Sequence, residues 1–178
     1  MLYFNELKKS MNYLAKDKRT IFIGQAVEYA GTAMTNTLTN IPDNKKLEMP
    51  VCEELQMGIS IGIALDGMIP ISIYPRWNFL LLAVNQLVNH LDKIKSISNN
   101  GFKPKVIIRT GIGSQRPLHP QSQHVGDFTN AFKGMLDNVD IIKMINPKDI
   151  LPSYKKALNR KDNKSTILVE VSDFYNEK

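Results

Sequence analysis

Glu53 and Glu54 stand side by side in "MPVCEELQMG", between a polar stretch and the small-residue run "GISIGIALDG". Carboxylates at a helix start complement the positive end of the macrodipole. A carboxylate in that place can also be aimed at a ligand, and position alone leaves both readings open. The histidines, His90, His119 and His124, lack paired metal-ligand spacing, and the single cysteine, Cys52, is remote from them. No metal ligand is therefore assigned. His124 lies in a polar loop rather than on an apolar stripe, which reads as a solvent-reachable side chain, either plain surface or catalytic. "GIG" at Gly111 to Gly113 lacks the third glycine and the following helix of a dinucleotide site, and there is no Walker sequence. A Ser-His-Asp arrangement finds no G-x-S-x-G elbow to support it. Gly58 and Gly62, one helical turn apart, leave a flat face suited to tight packing within one core or to a subunit contact.

The elements that must position these residues alternate between helical and extended periodicity. "FNELKKSMNYLAK" puts Phe4, Leu7, Met11 and Leu14 on one helix face, and "TIFIG" is a short buried strand. The stretch "QAVEYAGTAMTNTLTNIPDNKK" has little periodicity and reads mostly as loop. A helix over Glu53 to Leu65 and a strand over "MIPISIY" follow. Residues Trp77 to Ile97 read as one long helix stopped by Asn99-Asn100-Gly101. "PKVIIRT" is a strand, and the long loop "GIGSQRPLHPQSQHVGD" after it exceeds what a connector needs. "VDIIKM" is a strand, "NPKDILPSYKKALN" a helix with Asn146 as cap and Pro147 first inside it, and "STILVEV" the last strand. Buried strands separated by helices predict an α/β fold: a single three-layer domain over residues 1–178, its mostly parallel sheet covered by helices on both faces. In such sheets ligands bind beyond the carboxyl ends of the strands, where Gly24, Tyr74 and the loop after Arg109 gather.

Composition narrows the classes. The 178 residues are 43% hydrophobic and 22% charged, which suits an ordinary folded protein and argues against disorder. The apolar stretch Met57 to Tyr74 carries Gly58, Gly62, Asp66 and Gly67 and is interrupted by Pro70. A membrane span needs about 20 nearly uninterrupted apolar residues, so helix then strand is the reading and no membrane is expected. The start of the chain has its lysines after its apolar residues and no continuous hydrophobic stretch, unlike a secretory signal. One cysteine suits a reducing compartment, and a cytoplasmic location is the expectation. The net charge of +6 raises nucleic acid as a partner. The basic residues, however, alternate with acidic and apolar ones as on solvated helix faces, so no nucleic-acid binding is expected.

Read as a whole, "MPVCEELQMGISIGIALDGMIPISI" resembles a stretch of the beta subunits of 2-oxo acid dehydrogenases and of transketolase-type enzymes. There it runs Pro-Ile-x-Glu, an apolar helix with glycine, then Gly-x-x-Pro. "FLLLAVNQLVNHLDK" is similar to their next helix, and "VIIRTGIG", "SQH" and "IKMINPKDI" match later segments in order. The resemblance spans essentially the whole chain and implies the pyrimidine-binding type of the thiamine diphosphate-binding fold. It places Glu53, not Glu54, at the catalytic glutamate that hydrogen-bonds the aminopyrimidine ring of thiamine diphosphate and favours its imino tautomer. Such a relay suits a buried carboxyl group, which holds its proton more readily than one in water. Phe79 matches an aromatic residue packed against the pyrimidine, and His124 a histidine reaching toward substrate or acyl acceptor.

The same resemblance marks what differs. Gln25 and Ala26 stand where relatives carry an acidic pair proposed to couple paired active sites. Arg76 replaces another ring-packing aromatic, and Asn85 an aspartate. No Gly-Asp-Gly motif occurs, so the diphosphate and its Mg2+ are expected on a separate alpha-type subunit in an α2β2 heterotetramer. The sequence ends just past "STILVEVSDFY", without the C-terminal domain of dehydrogenase beta subunits. That tilts the expectation from lipoyl-linked oxidation toward decarboxylation, carboligation or ketol transfer on a small-molecule 2-oxo acid or ketose. The competing expectation is a non-catalytic scaffold subunit of the same fold.

Overall fold

A computed structural model describes residues 2–29, 32–115 and 119–176. Its centre is a six-stranded sheet, every neighbouring pair parallel, made of β1 (Thr20–Gly24), β2 (Lys46–Glu48), β3 (Ile69–Tyr74), β4 (Ile107–Ile112), β5 (Val139–Lys143) and β6 (Ser165–Val171). The spatial order is β2-β1-β3-β4-β6-β5. The central strands are buried on both sides, as crossover-linked parallel sheets require. Successive residues therefore feed different cores. Ile71, Ile73, Ile107 and Leu168 pack under α1 (Tyr3–Ala15) and α6 (Pro147–Asn159). Tyr74, Ile108, Ile167 and Val169 pack under α2 (Glu53–Leu65) and the helical stretch beginning at Trp77. Each fully buried Leu or Ile contributes about 1.5–3 kcal/mol, so the two cores hold the layers from both sides.

The helix over Glu53 to Leu65 and the strands at both ends of the chain fall where the periodicity puts them. Three elements differ. The polar stretch after β1 is loop with short 3-10 turns, as its sequence reads, but at its end begins β2, a three-residue edge strand too short to show alternation. The stretch 77–97 is helical but not one regular helix. It passes from α3 (Trp77–Leu80) through a tight 3-10 turn at Leu81–Ala83 and a wide π-turn segment at Gln86–Leu91 to α4 (Ile94–Ile97). Residues Thr129–Met135 form α5, seven residues that pack Phe132 against Trp77, ring centroids 4.8 Å apart. Asn146 occupies the cap position of α6 with extended backbone but makes no side-chain cap bond.

The order of the strands decides where a site can form. The chain leaves β1 toward β2 on one side and leaves β3 toward β4 on the other, so a crevice opens at the carboxyl ends of β1 and β3. The approach there is close: a Cβ on Gly24 would lie 2.6 Å from the Ile73 carbonyl oxygen. Only glycine lets the two strands end side by side.

Candidate active site at the carboxyl edge of the sheet

Glu53 begins α2 directly beyond that crevice. The Met49 N–H donates to the Gly24 carbonyl at 2.8 Å, carrying the β1–β2 pairing past the strand and setting where the helix starts. Of the two adjacent glutamates only one turns inward: Glu53 is 6% exposed, whereas Glu54 faces solvent. The Gln25 amide donates to Glu53 Oε1 at 3.4 Å, and the other carboxyl oxygen has no partner among the described residues. The Tyr74 hydroxyl donates to the Glu53 carbonyl oxygen at 3.3 Å. Burial pushes the Tyr74 phenol up, and the Glu53 charge adds to it, so Tyr74 stays a neutral donor.

Polar bonds fix this end of α2. Gln56 donates to the Ser72 hydroxyl (3.1 Å) and the Ile73 carbonyl (2.9 Å), and the Ser60 hydroxyl reaches Ser72 at 3.0 Å. Glu48 accepts the N–H groups of Ala26, Val27 and Glu28 at 2.6, 2.8 and 2.8 Å, which shapes the turn that presents Gln25.

The second part of the site comes from the ends of β3 and β4. Phe79 and His124, far apart in sequence, meet with ring centroids 5.3 Å apart at 48°. His124 is half-buried, and its Nδ1 is buried without a partner among the described residues. The Arg76 Nη1 donates to the carbonyl oxygens of Gly113 (2.5 Å) and His124 (2.9 Å), tying both ends of the long loop back to β3. Phe79, Arg76, Met34, Ser114, Ser172 and Tyr175 line an open cleft of about 340 Å³.

Beneath the cleft lies a cluster that the motif reading missed. Arg109 on β4 and Glu170 on β6, both fully buried, form a two-pronged ion pair at 2.5 and 2.9 Å. Arg109 also donates to Thr37 (2.8 Å), and the hydroxyls of Tyr154 and Tyr175 donate to Glu170. Burial opposes the Arg109 charge, yet Glu170 keeps its pKa well above the usual value; burial and the Glu170 charge likewise push both phenols up. One lone charge of each sign within apolar strand sequences, Arg109 in "VIIRT" and Glu170 in "ILVEV", was the available signal, because a buried charge requires a partner.

Gly58 and Gly62 face away from the rest of the chain. A Cβ built on either meets nothing within 4 Å, and with exposed Leu55 and Leu65 they form one stripe along α2. Among the described residues, packing within one core is thereby excluded for this face. Among the described residues no cluster of His, Cys, Asp or Glu could hold a metal ion, and no helix is long and apolar enough to cross a membrane.

The fold defines a class. The structure superposes on the beta4 tetramer of a split-gene transketolase, described as inactive, with a TM-score of 0.71 at 13% identity, over 96% of this chain and 51% of that one. The sequence is 28% identical over 183 residues to the pyruvate dehydrogenase E1 component subunit beta of Gracilaria tenuistipitata var. liui, covering 100% of this chain and 55% of the relative. It is 26% identical over 117 residues to the 2-oxoisovalerate dehydrogenase subunit beta of Bacillus subtilis (strain 168), covering 64% and 36%. No family model matches. The chain thus carries the α/β fold of transketolase-like thiamine diphosphate proteins and resembles the beta subunits of 2-oxo acid dehydrogenases, of which it spans about half the length.

Proposed function

We propose that residues 1–178 form the pyrimidine-binding domain of a beta-type subunit in a heteromeric thiamine diphosphate enzyme acting on a 2-oxo acid or ketose. The observation that carries this reading is the inward turn of Glu53, alone of the adjacent pair, at the carboxyl edge with one carboxyl oxygen unclaimed among the described residues. The residues present suit the aminopyrimidine half of the cofactor. Glu53 would hold a proton at the ring nitrogen, while Gln25 and Tyr74 keep it in place. Phe79 offers an aromatic surface for the ring, and His124, packed on Phe79 with an unpartnered ring nitrogen, faces substrate or acyl acceptor. When bound, thiamine diphosphate supplies a nucleophilic carbon and an electron sink for cleaving the bond beside a carbonyl.

The diphosphate and Mg2+ are assigned to an alpha-type subunit, since this chain carries no Gly-Asp-Gly. The open apolar stripe of α2 gives such a subunit a surface to lie on, and an α2β2 assembly follows from sites shared between chains.

Co-expression with an alpha-type partner tests the assignment. The Glu53→Gln complex is expected to assemble but to exchange deuterium into the bound cofactor about 10²–10⁴-fold more slowly than wild type, the usual weight of a positioned acid or base. Exchange at the native rate refutes it. A stable wild-type complex that takes up no cofactor favours a scaffold subunit instead.

A further inference from the structure

The positive charge of this chain is gathered on one face. Residues 3–19 and 146–162 hold ten of the 23 Lys and Arg but only four of the 17 Asp and Glu, so they carry the whole net charge of +6 and the remainder is balanced. These two stretches are far apart in sequence, and the fold lays them side by side. α1 and α6 cover the face of the sheet opposite α2 and run in the same direction. Near their starts the Tyr3 hydroxyl donates to the Met144 carbonyl at 2.7 Å, and near their ends the Asn159 amide donates to the Tyr13 hydroxyl at 3.0 Å. Glu6 pairs with Lys9 (2.6 Å), Asp17 with Arg19 (2.7 Å) and Asp162 with Arg160 (2.6 Å); Asp149 alone of the four carboxylates pairs with no cation among the described residues. Lys16, Lys18, Lys148, Lys155, Lys156 and Lys161 are exposed, and none of them reaches a carboxylate among the described residues. Lysines at a helix carboxyl end complement the dipole, but Lys148 stands in the first turn of α6, where the dipole opposes it. Two lysines lie over aromatic rings, Lys8 at 6.0 Å from the Phe4 centroid and Lys155 at 5.2 Å from that of Tyr13.

We propose that the outer face of α1 and α6 is a docking surface for an acidic segment of a partner protein. Charge complementarity selects the occupant. A second copy of the chain offers no matching surface, because this face repels itself and the other residues sum to zero charge. The arginines beside the face, Arg19 and Arg160, already spend their forks on Asp17, Asp140 and Asp162, so none is left for the two-pronged grip on phosphate that nucleic acid invites. Phe4 and Tyr13 lie beneath lysines instead of offering their rings to lipid. What the face presents is a field of separate ammonium groups, which suits carboxylates spaced along a chain. Each helix has 13 residues and is about 20 Å long. With axes about 8–10 Å apart, the face measures about 400 Å², roughly half of what each partner gives to a standard interface. Docking here is therefore transient, drawn by long-range attraction and weakened by salt.

Titrating the full-length chain against a labelled oligoglutamate peptide, a labelled DNA duplex and phosphatidylserine-containing vesicles tests the assignment. The peptide is expected to bind, and its affinity to fall about tenfold or more between about 0.05 and 0.2 M salt. The triple variant Lys148→Glu, Lys155→Glu, Lys156→Glu is expected to weaken peptide binding about tenfold or more. Lys95→Glu, Lys103→Glu, Lys133→Glu changes the net charge equally elsewhere on the chain and is expected to leave binding within about twofold, since a docking face reads position as well as total charge. The Gln counterparts of the first triple keep the test valid if the Glu version misfolds, with a smaller loss expected. No peptide binding, an equal loss in both triple variants, or tighter binding of the DNA or the vesicles than of the peptide overturns the proposal. Neither cofactor nor alpha-type partner enters the measurement, so its outcome stands apart from that of the Glu53 exchange.

Discussion

Arg109 and Glu170 have no water to share their charges with, so each depends on the other and on the hydroxyls around them. Breaking such a pair leaves one uncompensated buried charge, which costs about 3–5 kcal/mol, whereas the intact pair need not stabilise more than an apolar replacement. Glu170→Gln is therefore expected to destabilise the chain by about that amount in urea unfolding, and an Arg109→Met, Glu170→Leu double variant by much less than the sum. The cluster also bears on the cleft, because Thr37 comes from the segment after β1 and Tyr175 lines the cleft wall. A Glu170→Gln variant as stable as wild type would mean that the ion pair is not formed in solution. At this scale the sequence was partly legible. The two carboxylates at the helix start were visible, but only the family resemblance singled out Glu53 from Glu54. The meeting of Phe79 with His124 was invisible, since it depends on how the loop after β4 folds back onto β3.

Elements were legible where their period had room to show. α2 and β6 were long enough for their patterns to mark both ends, and α1 showed its apolar stripe. The strand β2 has three residues, and α5 seven, so neither completes a pattern that stands out from loop. The stretch 77–97 kept its apolar content while its turns widened at Gln86–Leu91, a change that a periodicity of 3.6 does not report. The glycine face of α2 left two readings open in the sequence, and the open space around both glycines removes one of them. Replacing Gly58 and Gly62 by alanine meets no steric opposition within the chain and relieves the entropy cost of glycine in a helix, about 0.5–1 kcal/mol each. The double variant is expected to melt higher than wild type yet to co-purify less well with an alpha-type partner, since two methyl groups lift an approaching helix off the face. Unchanged co-purification would place the partner elsewhere.

At the scale of the molecule, the surface is stitched by ion pairs that share one pH dependence. Asp17 clamps Arg19 at 2.7 Å before β1, and these bonds bring its carboxyl down from 3.8 to about 2. Asp127 pairs with Lys143 at 2.8 Å and also accepts bonds from Thr129; although burial works against it, its pKa is lowered too. Asp43, Asp137 and Asp162 are lowered chiefly by hydrogen bonds from Lys46, Lys93 and Arg160. A carboxyl whose folded pKa lies below its unfolded one binds fewer protons in the folded state. The stability it adds is present in full above the unfolded value and drains away as pH falls through the folded value. For Asp17 that window runs from about 4 to about 2, and the other four shift in the same direction. The formal net charge is already +6 at pH 7, so each protonated carboxylate also adds to self-repulsion. Urea midpoints are therefore expected to stay level between pH 5 and about 4, then fall steadily toward pH 2, and to fall less in high salt, which screens exposed pairs and repulsion alike. The Asp127–Lys143 pair gives the acid transition a local consequence. It fastens the chain just after His124 to β5, so the His124 ring resonances should broaden or shift in the same pH window. Lys143→Met, which removes the partner of Asp127 at every pH, should show the acid form of the His124 signal already at about pH 5; a His124 signal that follows the same course in both proteins would show that the pair does not hold the loop.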